Sequence, residues 1–189
     1  MNAWLRHSVI FLLSGLMIFA AGLVHEESVL IFGARKISFV PPDGFTVAKG
    51  RDNAGEIALR LSDAKERHSL EIAFLPDAEA RQTSPRARRE MMNDLFREYV
   101  GSSQEKGMQF EELEPRAGAG TYCVFTDVSL IGKAEVPAGE FLHLTAGLKA
   151  WPGVVVVFRL FSNDTDSPEY RALMKTLRES LLEKPVPMR

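Results

Sequence analysis

Alternation of apolar and polar residues predicts strands along most of the chain. Ile37 and Phe39 share one face of a short strand, which a Pro-Pro-Asp-Gly turn at 41–44 brings to an end. The same alternation over 56–61 and 69–75, joined by a polar link, predicts a hairpin with one apolar and one solvated face. The strands predicted in this way cover 36–41, 45–49, 56–61, 69–75, 109–114, 121–130, 141–148 and 154–161.

The run 154–158 is apolar without any alternation. A strand of this kind is expected in the centre of a sheet, where it is covered on both faces. The segment 150–153 contains Pro152 followed by glycine and predicts a tight turn from the preceding strand. Upstream, the segment 25–35 contains a shorter apolar run. Three interpretations of this segment stay open: a strand, a helix and a spacer to the membrane.

Two helices are predicted to begin with the same local sequence, a serine followed by a proline. Ser84-Pro85 and Ser167-Pro168 each place a capping hydroxyl before a proline at the first helical position. The first helix is expected to stop at Gly107. Apolar residues at helical spacing give each helix one stripe to pack on the sheet. The stripes are Met91, Met92, Leu95, Phe96, Tyr99 and Val100 in the first helix, and Tyr170, Leu173, Met174, Leu177 and Leu181 in the second.

The order strands, helix, strands, helix, with hairpins in place of crossovers, predicts an α+β fold. We expect a mostly antiparallel sheet with helices packed on its faces, an αβα sandwich. A single α+β domain over 36–184 is expected, after a lead-in segment at 23–35 and before a tail at 185–189. Without its first 22 residues the chain has about 165 residues, a length that buries roughly 70% of the unfolded surface, so this core needs no disulfide or metal.

The first 22 residues have the pattern of an export signal. Arg6 gives a short basic start, the run 9–21 is almost wholly apolar, and small residues at 20–22 suit a signal peptidase. Crossing a bilayer takes about 20 apolar residues, whereas the run that ends at Val24 has about 16. The sequence therefore predicts a cleaved signal peptide and a periplasmic or cell-surface protein. An uncleaved anchor in the inner membrane is the alternative.

The charge balance is too mild for a strongly electrostatic partner. The chain has 23 Lys and Arg against 25 Asp and Glu, and without Arg6 of the signal the balance is 22 against 25, a net charge of −3. Nucleic acid binding needs a strongly basic surface, so we expect none. Cys123 is the one cysteine in the sequence, which leaves no internal disulfide and no lipid attachment near the signal boundary.

Three stretches carry a resemblance to a known superfamily. Segment 37–45 is a strand that ends in a Pro-Gly turn, 84–107 is a middle helix, and 153–161 followed by 167–170 is a closing strand and helix. Together they resemble the fold superfamily of the PsbP-like photosystem subunits and the Ran-binding Mog proteins, which includes exported bacterial proteins of the DcrB-like group. The resemblance implies an αβα sandwich and a binding or accessory role, with no shared catalytic motif. The chain lacks the lipoprotein cysteine common in the DcrB-like group.

The sharpest charge feature is a group of arginines around the start of the first helix. Arg81, Arg86, Arg88 and Arg89 oppose the helix dipole at a cost of up to ~1 kcal/mol, which favours a use for them. They are a candidate contact for lipid headgroups, cell-wall polymer or an acidic protein face; a solvated helix start, partly balanced by nearby acids, is the favoured interpretation. Trp151 is a second candidate contact, which anchors a partner if exposed and covers the sheet edge if folded back.

Two residue sets are candidates for chemistry. Cys123, Asp127 and His143 have the types of a thiol nucleophile, an orienting acid and a base. No glycine-rich elbow or helix N-terminus lies beside the cysteine to lower its pKa, so a small buried cysteine is favoured. His68 or His143 with acids such as Asp63 could bind a metal, but no paired spacing such as HxxxH supports this, and a solvated His68 is favoured.

These observations predict an exported, non-enzymatic accessory or binding protein that acts through protein–protein contacts in the cell envelope. Its partner is expected to be another envelope protein, with no cofactor, no metal and no nucleic acid. Membrane contact is expected only if the N-terminal segment stays uncleaved. Two alternatives stay open: a small exported thiol hydrolase that uses Cys123 and His143, and a membrane-tethered structural subunit of an envelope complex. The sequence assigns no oligomeric state.

Overall fold

The structure is a computed structural model that describes residues 26–31, 35–51 and 57–184. The predicted export signal at 1–22 and the tail at 185–189 lie outside the described residues, as do parts of the lead-in segment. The described part of that segment forms strand β1 (Glu27–Ile31), so a strand is the correct one of its three interpretations.

Within the described residues, ten strands form two sheets in which all neighbouring strands are antiparallel. A small sheet has the order β1-β2-β10, and a large sheet has the order β3-β4-β5-β9-β8-β7-β6. The remaining strands are β2 (Arg35–Phe39), β3 (Phe45–Arg51), β4 (Ile57–Asp63), β5 (His68–Asp77), β6 (Glu111–Glu112), β7 (Ala119–Thr126), β8 (His143–Trp151), β9 (Gly153–Ser162) and β10 (Leu182–Lys184).

The large sheet consists of two meanders that meet at its centre. β3 to β5 run inward from one edge, β6 to β9 run inward from the other, and β9 pairs with β5 along its full length. Val154 and Val156 of β9 lie in the core on one face, and Val155 lies in the core on the other. The prediction of a central strand covered on both faces is therefore confirmed.

Each face of the large sheet carries one helix. A 3₁₀ turn (Arg81–Thr83) leads into α1 (Pro85–Val100), which links β5 to β6. α2 (Pro168–Lys175) follows β9 and continues as a π-helical turn (Thr176–Ser180). Both helices begin at the predicted Ser-Pro pairs, because each serine hydroxyl accepts a hydrogen bond from a backbone N–H of the first turn.

Two cores result, one on each face of the large sheet. The core under α1 consists of Met92, Phe96, Tyr99, Cys123, Phe125, Leu144, Ala146, Leu148, Ala150, Val155 and Phe161. The other core joins α2 and the small sheet to the large sheet; its members include Ile31, Ile37, Phe39, Leu59, Leu61, Leu70, Ile72, Phe74, Val156, Phe158, Leu173, Met174, Leu177 and Leu181. The fold is thus mixed α+β with the sheet dominant, as predicted.

Several element ends differ from the sequence prediction. α1 ends at Val100 and not near Gly107, because Ser103 forms a bridge with Asp127 and so draws the chain onto the end of β7. The strand predicted over 109–114 shrinks to the two residues of β6, and the strand predicted over 121–130 ends at Thr126. The end of the chain before the tail forms β10, which pairs with β2.

The face of β4 and β5 predicted to be solvated contains a buried carboxylate. Glu71 lies in register between Arg60 on β4 and Arg159 on β9, and its carboxylate is 3.4 Å from the Arg159 guanidinium. Burial raises the pKa of Glu71, and the two arginines lower it by less. The prediction of a fully solvated face was wrong here, since neighbouring strands place this charge between two cations.

Candidate functional site

Arg88, one of the predicted partner contacts, is buried, with 2% of its surface exposed. Its Nε donates to Thr121 Oγ1 at 2.9 Å, its Nη1 donates to Thr83 O at 2.8 Å, and its Nη2 lies 3.0 Å from Glu112 Oε2. These bonds tie the first turn of α1 to β6 and β7. Arg88 is therefore not available to a partner, which corrects the sequence interpretation.

The other three arginines lie on the surface. The side chains of Arg81, Arg86 and Arg89 are 68%, 90% and 49% exposed. Each pairs with a nearby carboxylate: Arg81 with Glu79, Arg86 with Glu90, and Arg89 with Glu112. Exposed pairs of this kind contribute little stability, so a carboxylate from another molecule can replace the internal one.

A groove of about 300 Å³ lies beside the 3₁₀ turn that leads into α1. Its lining combines the apolar side chains of Leu75, Met91 and Val155 with the polar side chains of Asp77, Glu79, Arg81 and Gln82. Gln82 Oε1 is buried and has no hydrogen-bond partner among the described residues. The groove therefore offers apolar contact and an exposed arginine within one small region.

Trp151 is folded back against the sheet, with 5% of its surface exposed. The Lys149 ammonium lies 4.9 Å from the centre of its ring. Its indole Nε1 is buried and has no hydrogen-bond partner among the residues that the structure describes. Of the two sequence interpretations, the one in which Trp151 covers the sheet is the one that the structure shows, so this side chain does not anchor a partner.

Lys149 is a fully buried cation that the sequence interpretation missed. Its ammonium donates to Leu177 O at 2.8 Å and Leu181 O at 2.7 Å, where it closes the end of the π-helical turn after α2. Burial lowers the pKa of Lys149 to about 8. A lysine within a strand is ordinarily solvated, so no local sequence pattern predicts that this one is buried against the end of the π-helical turn.

Cys123 and His143 do not form a nucleophile and base pair. His143 lies opposite Thr126 and hydrogen-bonds its hydroxyl at 3.2 Å, whereas Cys123 lies opposite Ala146, three residues along the strand. Because side chains alternate along a strand, Cys123 and His143 point to opposite faces of the sheet. Burial, with a smaller effect of Glu105, raises the pKa of Cys123 to about 12. The residues behind the thiol-hydrolase alternative are therefore not brought together.

Asp127, the third residue of that set, lies at the end of β7. Its carboxylate accepts the backbone N–H of Ser129 at 2.8 Å and so shapes the following loop. Among the described residues, no group of three or more His, Cys, Asp and Glu side chains is arranged to hold a metal ion.

His68 is 7% exposed, whereas the sequence interpretation placed it in solvent. Its Nδ1 lies 3.0 Å from Asp63 Oδ2, and its Nε2 lies 3.0 Å from Ser167 Oγ. Ser167 is also the N-cap of α2 and accepts the Tyr170 N–H at 3.1 Å. His68 and Ser167 are 99 residues apart, so the sequence contains both groups but no signal that they meet.

Neither helix in the described ranges is long and apolar enough to cross a membrane. No protein-family model matches the chain, and comparisons with curated proteins and with solved structures find no match either. The resemblance to the PsbP-like superfamily stays a prediction.

Proposed function

We propose that this protein is exported to the cell envelope and binds another envelope protein through the surface at the start of α1. Export is supported by Arg6, the apolar run 9–21 and the small residues after it. Binding is supported by one juxtaposition above all, a groove of about 300 Å³ beside the exposed Arg81, with Arg86 and Arg89 on the adjoining helix.

The chemistry of this surface indicates an extended segment that carries an apolar side chain next to an acidic one. Leu75 and Met91 in the groove lining would contact the apolar side chain. Arg81 would pair with its carboxylate in two parallel hydrogen bonds, in place of the exposed pair with Glu79. Replacing that pair loses little, because exposed pairs contribute about 0–1 kcal/mol.

Charge reversal tests the arginines. Tagged protein carrying Arg86→Glu and Arg89→Glu should capture its envelope partner at least 10-fold less than the unmodified protein, in a pull-down quantified by mass spectrometry. The matched control is Arg67→Glu with Arg171→Glu, the same charge change at two exposed arginines on other elements. A partner captured equally by both variants would show that the α1 surface is not the contact.

Filling the groove tests its apolar part. Ala78 is an exposed residue in the groove lining, so Ala78→Trp should block the groove without disturbing either core. The control is Ala138→Trp, an exposed alanine in the β7–β8 loop. We expect capture of the same partner to fall in the first variant alone, and unchanged capture in both would contradict the proposal.

Cleavage of the signal is tested by the intact mass of the protein from its native host. Loss of about 22 residues is expected from the small residues at 20–22. A mass that includes the full sequence would favour the membrane-tethered alternative.

We also propose that the fold is the αβα sandwich of the PsbP-like superfamily. Support comes from the position of one helix on each face of the large sheet. The three stretches that carry the resemblance also support it: 37–45, 84–107, and 153–161 followed by 167–170. A crystal structure should superpose on a PsbP-like domain with the same strand order, and a different order would contradict the proposal.

A further inference from the structure

The contacts of His68 have the order and the distances of a nucleophile, a base and an orienting acid. A serine hydroxyl lies 3.0 Å from one ring nitrogen, and a carboxylate oxygen lies 3.0 Å from the other. Serine hydrolases are recognised by this geometry and not by chain order. We propose that Ser167, His68 and Asp63 form a hydrolytic site for esters with a small acyl group, an activity beyond the binding function.

The β4–β5 hairpin fixes the acid and the base relative to each other. Asp63 ends β4, His68 begins β5, and the turn between them is held by the Arg67 N–H, which donates to Asp63 Oδ1 at 2.8 Å. Burial raises the pKa of Asp63, but the hydrogen bonds from His68 and Arg67 outweigh it and leave the pKa lowered. An ionised carboxylate keeps the ring hydrogen on Nδ1, so Nε2 is free to accept a proton from serine.

The hydroxyl of Ser167 can supply that proton without leaving another group unpaired. Its single hydrogen has two acceptors within reach, His68 Nε2 at 3.0 Å and Asp164 O at 2.8 Å. Asp164 O also receives the Ser162 hydroxyl at 2.8 Å, so it keeps a partner when Ser167 turns to His68. The Tyr170 N–H on Ser167 Oγ and the N-terminal end of α2 favour negative charge on the attacking oxygen.

Ester hydrolysis at this site would proceed in two steps, acylation of Ser167 and hydrolysis of the acyl-serine. Ser167 Oγ attacks the acyl carbon while His68 Nε2 takes the hydroxyl proton, which His68 then gives to the departing alcohol. Water next attacks the acyl-serine, His68 takes one of its protons, and return of that proton to Ser167 releases the acid. Asp63 is a positioning residue that holds the ring and stabilises the imidazolium. Less than a tenth of His68 and of Ser167 is exposed, which limits the acyl group to a small one.

This site is independent of the proposed binding surface. Ser167 is the N-cap of α2, whereas the proposed binding surface lies at the start of α1. The two helices lie on opposite faces of the large sheet. Failure of one proposal leaves the other standing.

A fluorophosphonate probe tests the nucleophile, because its phosphorus forms a bond to an activated serine oxygen as fluoride leaves. We expect a single adduct on the peptide that contains Ser167, together with hydrolysis of p-nitrophenyl acetate. The labelling rate should fall at least 100-fold in Asp63→Asn, which removes the ionised carboxylate but keeps its shape. Labelling and hydrolysis should disappear in Ser167→Ala.

The matched control is Ser84→Ala, since Ser84 caps α1 with the same 3.1 Å bond to a backbone N–H and is likewise followed by proline. Labelling in Ser84→Ala should equal that of the unmodified protein, and Asp63→Asn should melt within a few degrees of it. An adduct elsewhere, or labelling of the unmodified protein no faster than that of Asp63→Asn, overturns the proposal and leaves a structural link only. If Ser167→Ala does not fold, the folded Asp63→Asn variant decides alone.

Discussion

The two helices of this protein begin with the same local chemistry and end up in different surroundings. Ser84 and Ser167 each precede a proline, and each accepts the N–H of the third helical residue at 3.1 Å. At α1, within the part of the chain that the structure describes, that hydroxyl makes no second hydrogen bond, and the buried Arg88 one turn later makes the link to the sheet. At α2 the hydroxyl itself contacts the imidazole of His68.

The comparison shows that a helix cap and a reactive serine can have identical sequence signatures. Ser-Pro determines where the helix starts, since the hydroxyl satisfies an otherwise unpaired N–H. What the hydroxyl can do beyond capping depends on the side chain that another strand brings to it. Here β5 brings a histidine to the cap of α2, whereas the start of α1 is linked to β6 and β7 through Arg88.

The largest expected effect concerns the nucleophilic side chain beside each helix, a cysteine under α1 and a serine at the start of α2. α1 buries Cys123, and burial raises the pKa of that thiol to about 12, so its thiolate is about 1000-fold scarcer at pH 8 than that of a free cysteine. Reaction with Ellman's reagent should therefore be slower in the native protein than in urea, by a factor on the order of 1000. Fast native labelling would restore the thiol-hydrolase alternative.

Arg88 is expected to dominate the stability of the α1 start. Arg88→Met should lower the free energy of unfolding by about 3 kcal/mol, because it leaves Thr83 O, Thr121 and Glu112 without their cation. The control Arg86→Met, at a 90% exposed position on the same turn, should change it by less than about 0.5 kcal/mol. Urea unfolding measures both, and equal values would contradict the structural role given to Arg88.

Lys149, at the far end of α2, should make stability depend on pH in the alkaline range. Its pKa is lowered from 10.5 to about 8 in the folded state, so between those values the unfolded chain binds more protons and stability rises with pH. Relative to Lys149→Met, the unmodified protein should gain about 2 kcal/mol from pH 8 to 9.5. Cys123 and Tyr122 also have raised pKa values, but both residues are present in both proteins. The difference in stability between the two proteins therefore reports on Lys149. A difference that stays flat would show that the two carbonyl contacts keep this lysine charged.

The smallest expected effect compares the two caps directly. Ser84→Ala should lower the free energy of unfolding by about 1 kcal/mol, the ordinary contribution of an N-cap. Ser167→Ala should lower it by about 2 kcal/mol, because it also removes a hydrogen-bond partner from the buried His68. Thermal unfolding measures the two values. Equal losses would show that the contact between Ser167 and His68 adds nothing to stability.

Much of the secondary structure could be predicted because its signals are local. Alternation located the strands of both meanders, and the Ser-Pro pairs located both helix starts. Element ends were less accurate: α1 stops at Val100 because Ser103 bridges a strand from later in the chain, a contact that no local pattern contains. The strand β10 was missed for the same reason, since its pairing with β2 joins opposite ends of the domain.

The candidate site could be predicted only in part. The surface arginines follow from the sequence, and Arg88 lies four residues before Met92 on the apolar stripe, a helical spacing that separates it from Arg86. Its hydrogen bonds to Thr121 and Glu112 follow only once the helix is placed on the sheet. Cys123 and His143 are residue types that could form a thiol nucleophile and its base. The register of β7 against β8 places their side chains on opposite faces of the large sheet.

By itself, the sequence determined the type of most elements and the two capped helix starts. These depend on residues within a few positions of one another, where hydrogen bonding and hydrophobic period act directly. Only the tertiary structure decided that His68 meets Ser167, that Arg88 is buried, and that Lys149 closes α2. Each of these contacts depends on strand register and helix placement, which packing of the whole core sets across distant parts of the chain.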